Sequence, residues 1–407
     1  MTTSRASIIV PASGMGLYVH VPFCKTKCPY CDFNTYQGIE NLMEPFLPSL
    51  KAEIQSWGET LAHPAVTSIF FGGGTPSYLP PGYIEQILAC IQSSYQLDSG
   101  AEITIEANPG DLDAAACAGI LAQGVNRLSI GVQSLDNDLL NLLGRRHQAS
   151  EAVDAFQAAR KAGFDNVNLD LMYGLPNQSI HQWRKTLDSL TSLEPEHISL
   201  YALTLEEGTP MHRWAEEGKI PEPDPDLAAD MYQYARESLA AAGYHHYEIS
   251  NWSLPDRACG HNLVYWENGP YLGVGPGAHS RLGDWRFWTV LSPRDYNTKA
   301  TAWAQSGIQP ADDLVETVLE SVQTLGGWEH LGPETICSET MFLGLRLLDG
   351  LNLPGASART GVDMAGKFQA PIQECIDLGL LVRDGDCLKL TESAYLIANQ
   401  AFTRFLG

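Results

Sequence analysis

The chain has 407 residues, 44% of them hydrophobic and 18% charged, enough for two or three domains and at least one large core. Acidic residues outnumber basic ones by 48 to 25, for a net charge of −23; such a surface repels phosphate backbones and argues against general nucleic-acid binding. No run of about 18 apolar residues offers a transmembrane span, and the N-terminal residues hold no apolar stretch long enough for a secretory signal.

Leu17–Val21 is the first β-type run. Thr67–Phe71, Glu102–Glu106, Arg127–Val132, Val167–Met172 and His197–Ala202 follow, with amphipathic helical patterns between most of them. Strands separated by helices imply right-handed crossovers and a parallel sheet. Six such units predict an α/β fold, a partial (β/α)6 barrel over residues 1–225. In such a barrel the working residues sit at the C-terminal ends of the strands. The polar residues follow that rule. A cysteine cluster follows the first strand, and "FFGGGTPS" (Phe70–Ser77) follows the second. Glu106–Gly110 ends the third, Gln133 ends the fourth, and Asp170 lies in the fifth.

A Pro- and Asp-rich stretch at 218–230 marks a change. Residues 226–309 read as a barrel extension and connecting region, with a helix at Leu227–Ala242, a strand-like "YHHYEIS" and a long loop at 261–280. Within that loop "GVGPGAHS" lacks the spacing and the βαβ setting of a dinucleotide fingerprint. Residues 310–407 read as a mainly helical, winged-helix-like domain. Its hairpin pattern "LLVRDGDCLKLT" carries Asp384-Gly385 at the turn, and "ESAYLIANQAFTRFL" reads as a closing helix. Acidity argues against DNA as the partner of this domain.

Cys24, Cys28 and Cys31 form a Cys-x3-Cys-x2-Cys cluster. Structural zinc needs four closed ligands, usually as two knuckles, and no second knuckle exists. A [4Fe–4S] cluster held by three thiolates keeps one iron open for an exchangeable ligand. The remaining cysteines are scattered, which is no disulfide framework, and a cytoplasmic protein is expected.

This pattern, after the first strand of a partial barrel, resembles the radical S-adenosylmethionine (SAM) superfamily. The wider context "GLYVHVPFCKTKCPYCDFN", with "IEANPG", "RLSIGVQS" and "NLDLMYGLP", is similar to the oxygen-independent coproporphyrinogen III oxidase family over nearly the whole chain. The resemblance implies a cluster on the three cysteines with SAM at the open iron. It implies SAM contacts at Tyr18, Tyr30, Gly73, Gly74, Thr75, Glu106, Gln133 and Asp170, and Arg145 as the partner of the SAM carboxylate.

Two departures matter. Oxidases of that family usually place a fourth cysteine where this chain has Phe33, and they carry a longer segment before the cluster. Shorter relatives with Phe there form the HemW branch, which resembles haem chaperones and is marked by His-Asn-x-x-Tyr-Trp. Here that motif is His261, Asn262, Tyr265 and Trp266. An imidazole can ligate haem iron and aromatic rings can pack on the macrocycle; Cys259, Tyr265 and His279 are further candidate ligands. The resemblance thus implies haem as cargo, with apo-haemoproteins, such as respiratory membrane enzymes, as recipients. Radical decarboxylation of coproporphyrinogen III and a non-catalytic metal-binding interaction protein are the two alternatives.

Overall fold

The computed structural model describes residues 10–306 and 315–406. All six expected strands form: β1 (Met15–Val21), β2 (Ala65–Gly73), β3 (Gln96–Ala107), β4 (Arg127–Gln133), β5 (Val167–Tyr173) and β6 (His197–Ala202). They pair in parallel and in chain order. Side chains alternate across a strand. One set, including Leu17, Val19, Ile69, Phe71, Leu128, Ile130, Leu169 and Leu171, is buried in the large core under the helices. The other set faces the barrel interior and is polar: His20, Ser68, Glu106, Arg127, Ser129, Asn168, Asp170, His197 and Ser199.

The outer helices carry their own start and stop signals. Helix Ile180–Thr191 begins with a capping box between Ser179 and Gln182, which satisfies backbone donors that the first turn leaves open. Helix Ala149–Ala162 ends at Gly163, whose φ of +107° suits only glycine.

Six more strands widen the sheet to twelve. β7 (His245–Glu248) and β8 (Asn251–Ser253) lie beyond β6. On the other side β9 (Tyr271–Val274) pairs in parallel with β1. β10 (His279–Leu282), β11 (Trp285–Thr289) and β12 (Leu325–His330) continue antiparallel. The expected long loop at 261–280 is therefore a helix, Gly260–Trp266, followed by β9 and a tight turn into β10. The Glu102 carboxylate, from β3, accepts from the Gly260 and His261 N–H groups at 3.0 Å each. A helix capped from another strand carries no local start signal.

A second core begins at Cys337 and runs to Phe405, whereas the first extends through Leu325. The expected boundary at 310 falls outside the described residues, and Val315–Leu325 still pack in the first core. The C-terminal unit holds helices Pro333–Gly344, Leu353–Thr360 and Gln369–Asp377. Its three-stranded sheet comprises β13 (Leu351–Asn352), β14 (Leu381–Asp384) and β15 (Cys387–Leu390), with the β14–β15 hairpin as the wing. The hairpin turn sits one residue later than expected: Asp384 pairs with Cys387, so Gly385-Asp386 is the loop, with Gly385 at φ +58°. The expected closing helix is three short pieces, Glu392–Ile397, Asn399–Phe402 and Thr403–Phe405. Their buried residues keep a helical spacing, but bonds such as Ala401 N–H to Ala398 O tighten the turns to 3-10 form. Among the described residues no helix is long and apolar enough to cross a membrane.

Candidate functional site

The three cysteines sit on the loop after β1 and line a cavity of ≈ 690 Å³ inside the barrel mouth. Backbone and side-chain bonds hold the loop. Cys24 N–H donates to Tyr36 O at 2.9 Å, and the Lys27 ammonium donates to Phe33 O and Thr35 O at 3.0 Å each. Each sulfur has a polar neighbour. Thr75 hydroxyl lies 3.6 Å from Cys24 Sγ, Arg145 Nη1 lies 3.5 Å from Cys28 Sγ, and Thr35 Oγ1 lies 4.0 Å from Cys31 Sγ. Burial pushes the Cys24 and Cys31 thiols up, and those threonine contacts act against it. Among the described residues no group of three His, Cys, Asp or Glu side chains could hold a single metal ion. A [4Fe–4S] cluster would place each of the three thiolates on a different iron.

The other expected mouth residues converge on the same cavity. Tyr30, Gly73, Gly74, Thr75, Glu106, Gln133, Arg145 and Asp170 all line it. A Cβ on Gly74 would come within 2.6 Å of Phe23 O, and one on Gly73, at φ +103°, would collide with the His20 ring. Only glycine lets the end of β2 pass so close to the cysteine loop. Gln133 ends β4 at φ +64°, where the register to β5 shifts. This is a left-handed conformation uncommon for a residue with a side chain, and it turns that side chain into the mouth.

Two carboxyls face each other across the cavity. Glu106 is pushed up to about 8, by burial first and by Asp170 second, while the Gly73 N–H 3.2 Å away opposes the shift. Burial also raises Asp170, opposed by hydrogen bonds from Asn168, Ser199 and Ser129 and by the Arg127 charge. Arg145 donates to Gly131 O at 2.8 Å and leaves its Nε buried without a partner. The buried Nε of Arg145, without a partner, suits a ligand carboxylate, and Glu106 and Asp170 offer carboxyl oxygens to ligand N–H or O–H groups.

Several interior residues escaped the sequence reading. His20 donates from Nε2 to Asn34 O at 3.0 Å, so its Nδ1 accepts from Tyr18 OH at 3.1 Å. Deeper in the barrel, His197 joins Asn168 Oδ1 at 2.7 Å to Tyr247 OH at 2.8 Å. Polar residues at every second strand position were the signal available for this set.

The His-Asn-x-x-Tyr-Trp helix closes the end of the barrel opposite the cysteine loop. His261 is buried against Gly16 and Ser68, early residues of β1 and β2. Its Nδ1 meets Ser68 Oγ at 2.9 Å, its Nε2 meets Tyr265 OH at 2.9 Å, and its ring stacks on Phe70. Burial, then the Arg127 charge, pushes its pKa down to about 3. The ring expected to offer an axial ligand has both nitrogens engaged in this arrangement. The four motif side chains also diverge. Asn262 and Cys259 line the far end of the main cavity, and Tyr265 lines a second cavity of ≈ 400 Å³ together with Tyr18. The Trp266 ring carries the Arg346 guanidinium at 4.3 Å, and Arg346 pairs with Glu248. Burial pushes the Cys259 thiol up to about 12 against Arg127, so it is a neutral thiol.

Residues 18–190 match the Radical SAM superfamily, and residues 331–397 match the HemN C-terminal domain. The heme chaperone HemW of Mycobacterium tuberculosis is 35% identical over 401 residues, covering 98% of this chain and 96% of the relative. That of Bacillus subtilis is 32% identical over 391 residues, covering 96% and 98%. The chain belongs to the HemW family. Among solved structures, coproporphyrinogen III oxidase (HemN) from Escherichia coli, a radical SAM enzyme, superposes with a TM-score of 0.80. That match covers 96% of this chain and 90% of the other at 22% identity, and speaks for the fold.

Proposed function

We propose that this protein is a haem chaperone on a radical SAM scaffold, which carries haem and delivers it to apo-haemoproteins, respiratory enzymes among them. The observation that carries the reading is the full-length likeness to HemW chaperones of two distant bacteria. Phe33, where the related oxidases place a fourth cysteine, supports it. Cys24, Cys28 and Cys31 would hold a [4Fe–4S] cluster, and SAM would occupy the open iron. Such a cluster, when reduced, supplies an electron to SAM. The chain's own residues bind and orient. Arg145 would take the SAM carboxylate, and Gly73, Gly74 and Thr75 would flank its amino end. Glu106, Asp170, Gln133 and Tyr30 would accept or donate around the remainder, with Tyr18 behind Glu106. Nine cysteines, all free, suit the reducing cytoplasm.

The oxidase reading is kept alive by the fold match. Anaerobic reconstitution followed by parallel assays separates the two. The chaperone binds haem stoichiometrically and yields no protoporphyrinogen from coproporphyrinogen III with SAM and a reductant. Catalytic release of carbon dioxide would move the assignment to the oxidase.

A further inference from the structure

Resting on the haem-carrier reading, we propose that haem seats in the second cavity, between β1 and the β9–β10 turn, with His279 as its axial ligand. This cavity of ≈ 400 Å³ is lined by Tyr18, His20, Phe33, Tyr265, Tyr271 and His279 among others. Two imidazoles face it, and only one is free to bind iron. The His20 ring is engaged at both nitrogens, by Asn34 O and Tyr18 OH. His279 is exposed, its ring makes no hydrogen bond among the described residues, and it stacks on Trp288 with centroids 5.8 Å apart. Packing against one side of the ring, then the Arg286 charge, lower its pKa, which favours the neutral form that can ligate iron. A lone pair of that ring would enter the iron's axial position and displace a water, with no electron transferred.

The walls suit a flat, amphipathic macrocycle. Tyr265 and Tyr271 meet edge to face at 4.7 Å, and Phe33 is 63% exposed at the rim. An exposed phenylalanine beside two tyrosines offers apolar contact without a fixed partner. Haem also brings two propionates, which a chain of net charge −23 repels unless a cation is local. Arg281 and Arg286 stand beside Tyr271. Arg286 is taken up by Glu329 and Glu339, whereas Arg281 donates once, to Asn268 O, and keeps a buried Nε without a partner. Gly73, Glu106 and Phe33 line both cavities, so the haem edge would lie next to the SAM pocket while its other face stays open to a recipient.

The test uses the full-length, cluster-reconstituted protein titrated anaerobically with ferric haem b. His279→Ala is expected to shift the Soret band and weaken haem retention about tenfold or more. Added imidazole should restore the wild-type band, and cluster absorbance should stay unchanged. Arg281→Ala should weaken retention without shifting the band. If His279→Ala keeps the wild-type Soret band and affinity while His261→Ala or Cys259→Ala loses them, the seat is wrong and the haem-carrier reading stands. If the wild-type protein binds no haem, that reading falls and the seat with it.

Discussion

The two ends of the barrel use their carboxyl groups differently. At the closed end, one Glu102 carboxylate takes the Gly260 and His261 N–H groups, and the His261 ring is satisfied by Ser68 and Tyr265. At the mouth, Arg145 Nε has no partner, and Glu106, which lines both cavities, accepts a single N–H bond, from Gly73 at 3.2 Å. Unsatisfied buried polar groups are costly. Buried atoms without a partner occur at both ends, Arg127 Nε and Trp266 Nε1 at the closed end as well as Arg145 Nε at the mouth, so the contrast rests on the carboxyls: Glu102 is taken up by backbone donors, whereas Glu106 keeps capacity for a ligand. The His-Asn-x-x-Tyr-Trp motif lies on the helix that Glu102 caps, and the cysteine cluster lies at the mouth.

Substitutions break this contrast in graded steps. Replacing Cys24, Cys28 or Cys31 with Ala should abolish the cluster's absorbance and its iron and sulfide, about four of each per chain, whereas Cys90→Ala should leave them unchanged. Stoichiometric zinc without sulfide would contradict the cluster. Glu102→Ala leaves the helix donors without their acceptor and the buried Arg127, 4.0 Å away, without that counter-charge. It should cost about 3–5 kcal/mol of stability, read by denaturant unfolding, yet leave cluster assembly intact in the folded fraction. A loss below about 1 kcal/mol would show that the closed end is not a structural plug.

Arg145→Ala and Asp170→Ala should each weaken SAM binding by about 1–3 kcal/mol, seen as a lost SAM effect on the electron paramagnetic resonance spectrum of the reduced cluster. A smaller effect concerns pH. The Glu106 pKa is raised from 4.5 to about 8, so the folded protein binds more protons than the unfolded chain in that window. Its stability contribution falls as pH rises from about 4.5 towards 8. An ionised Glu106 would accept from the N–H or O–H groups of SAM, so binding should expel that proton, and affinity should increase from pH 7 to 8 and then level off. Calorimetry in buffers of different ionisation enthalpy measures the release; zero proton release at pH 7 would remove Glu106 from the SAM contacts.

The sequence made much of the mouth legible because Gly73, Glu106 and Gln133 stand at or near the ends of strands with a strong β pattern. Residues such as Gln133 and Glu106 could be placed by counting from Arg127–Val132 and Glu102–Glu106. The closed end was not legible. The helix Gly260–Trp266 is capped by a residue about 160 positions earlier, a long-range arrangement that no local signal encodes. β9 and β10 are short, four residues each, and begin inside the apparent loop at 261–280. His261 looked like a ligand because its type fits one. Only packing against Ser68 and Phe70 shows that its nitrogens are engaged.

Haem transfer tests the central claim most directly. Full-length, cluster-bearing protein loaded with one haem is mixed with an apo-haemoprotein, and both Soret bands are followed in time. Loss of haem from this protein should match its gain by the recipient, faster than the loss to solvent measured with no recipient present. Haem that never leaves, or leaves only at the rate of simple dissociation, would contradict a chaperone.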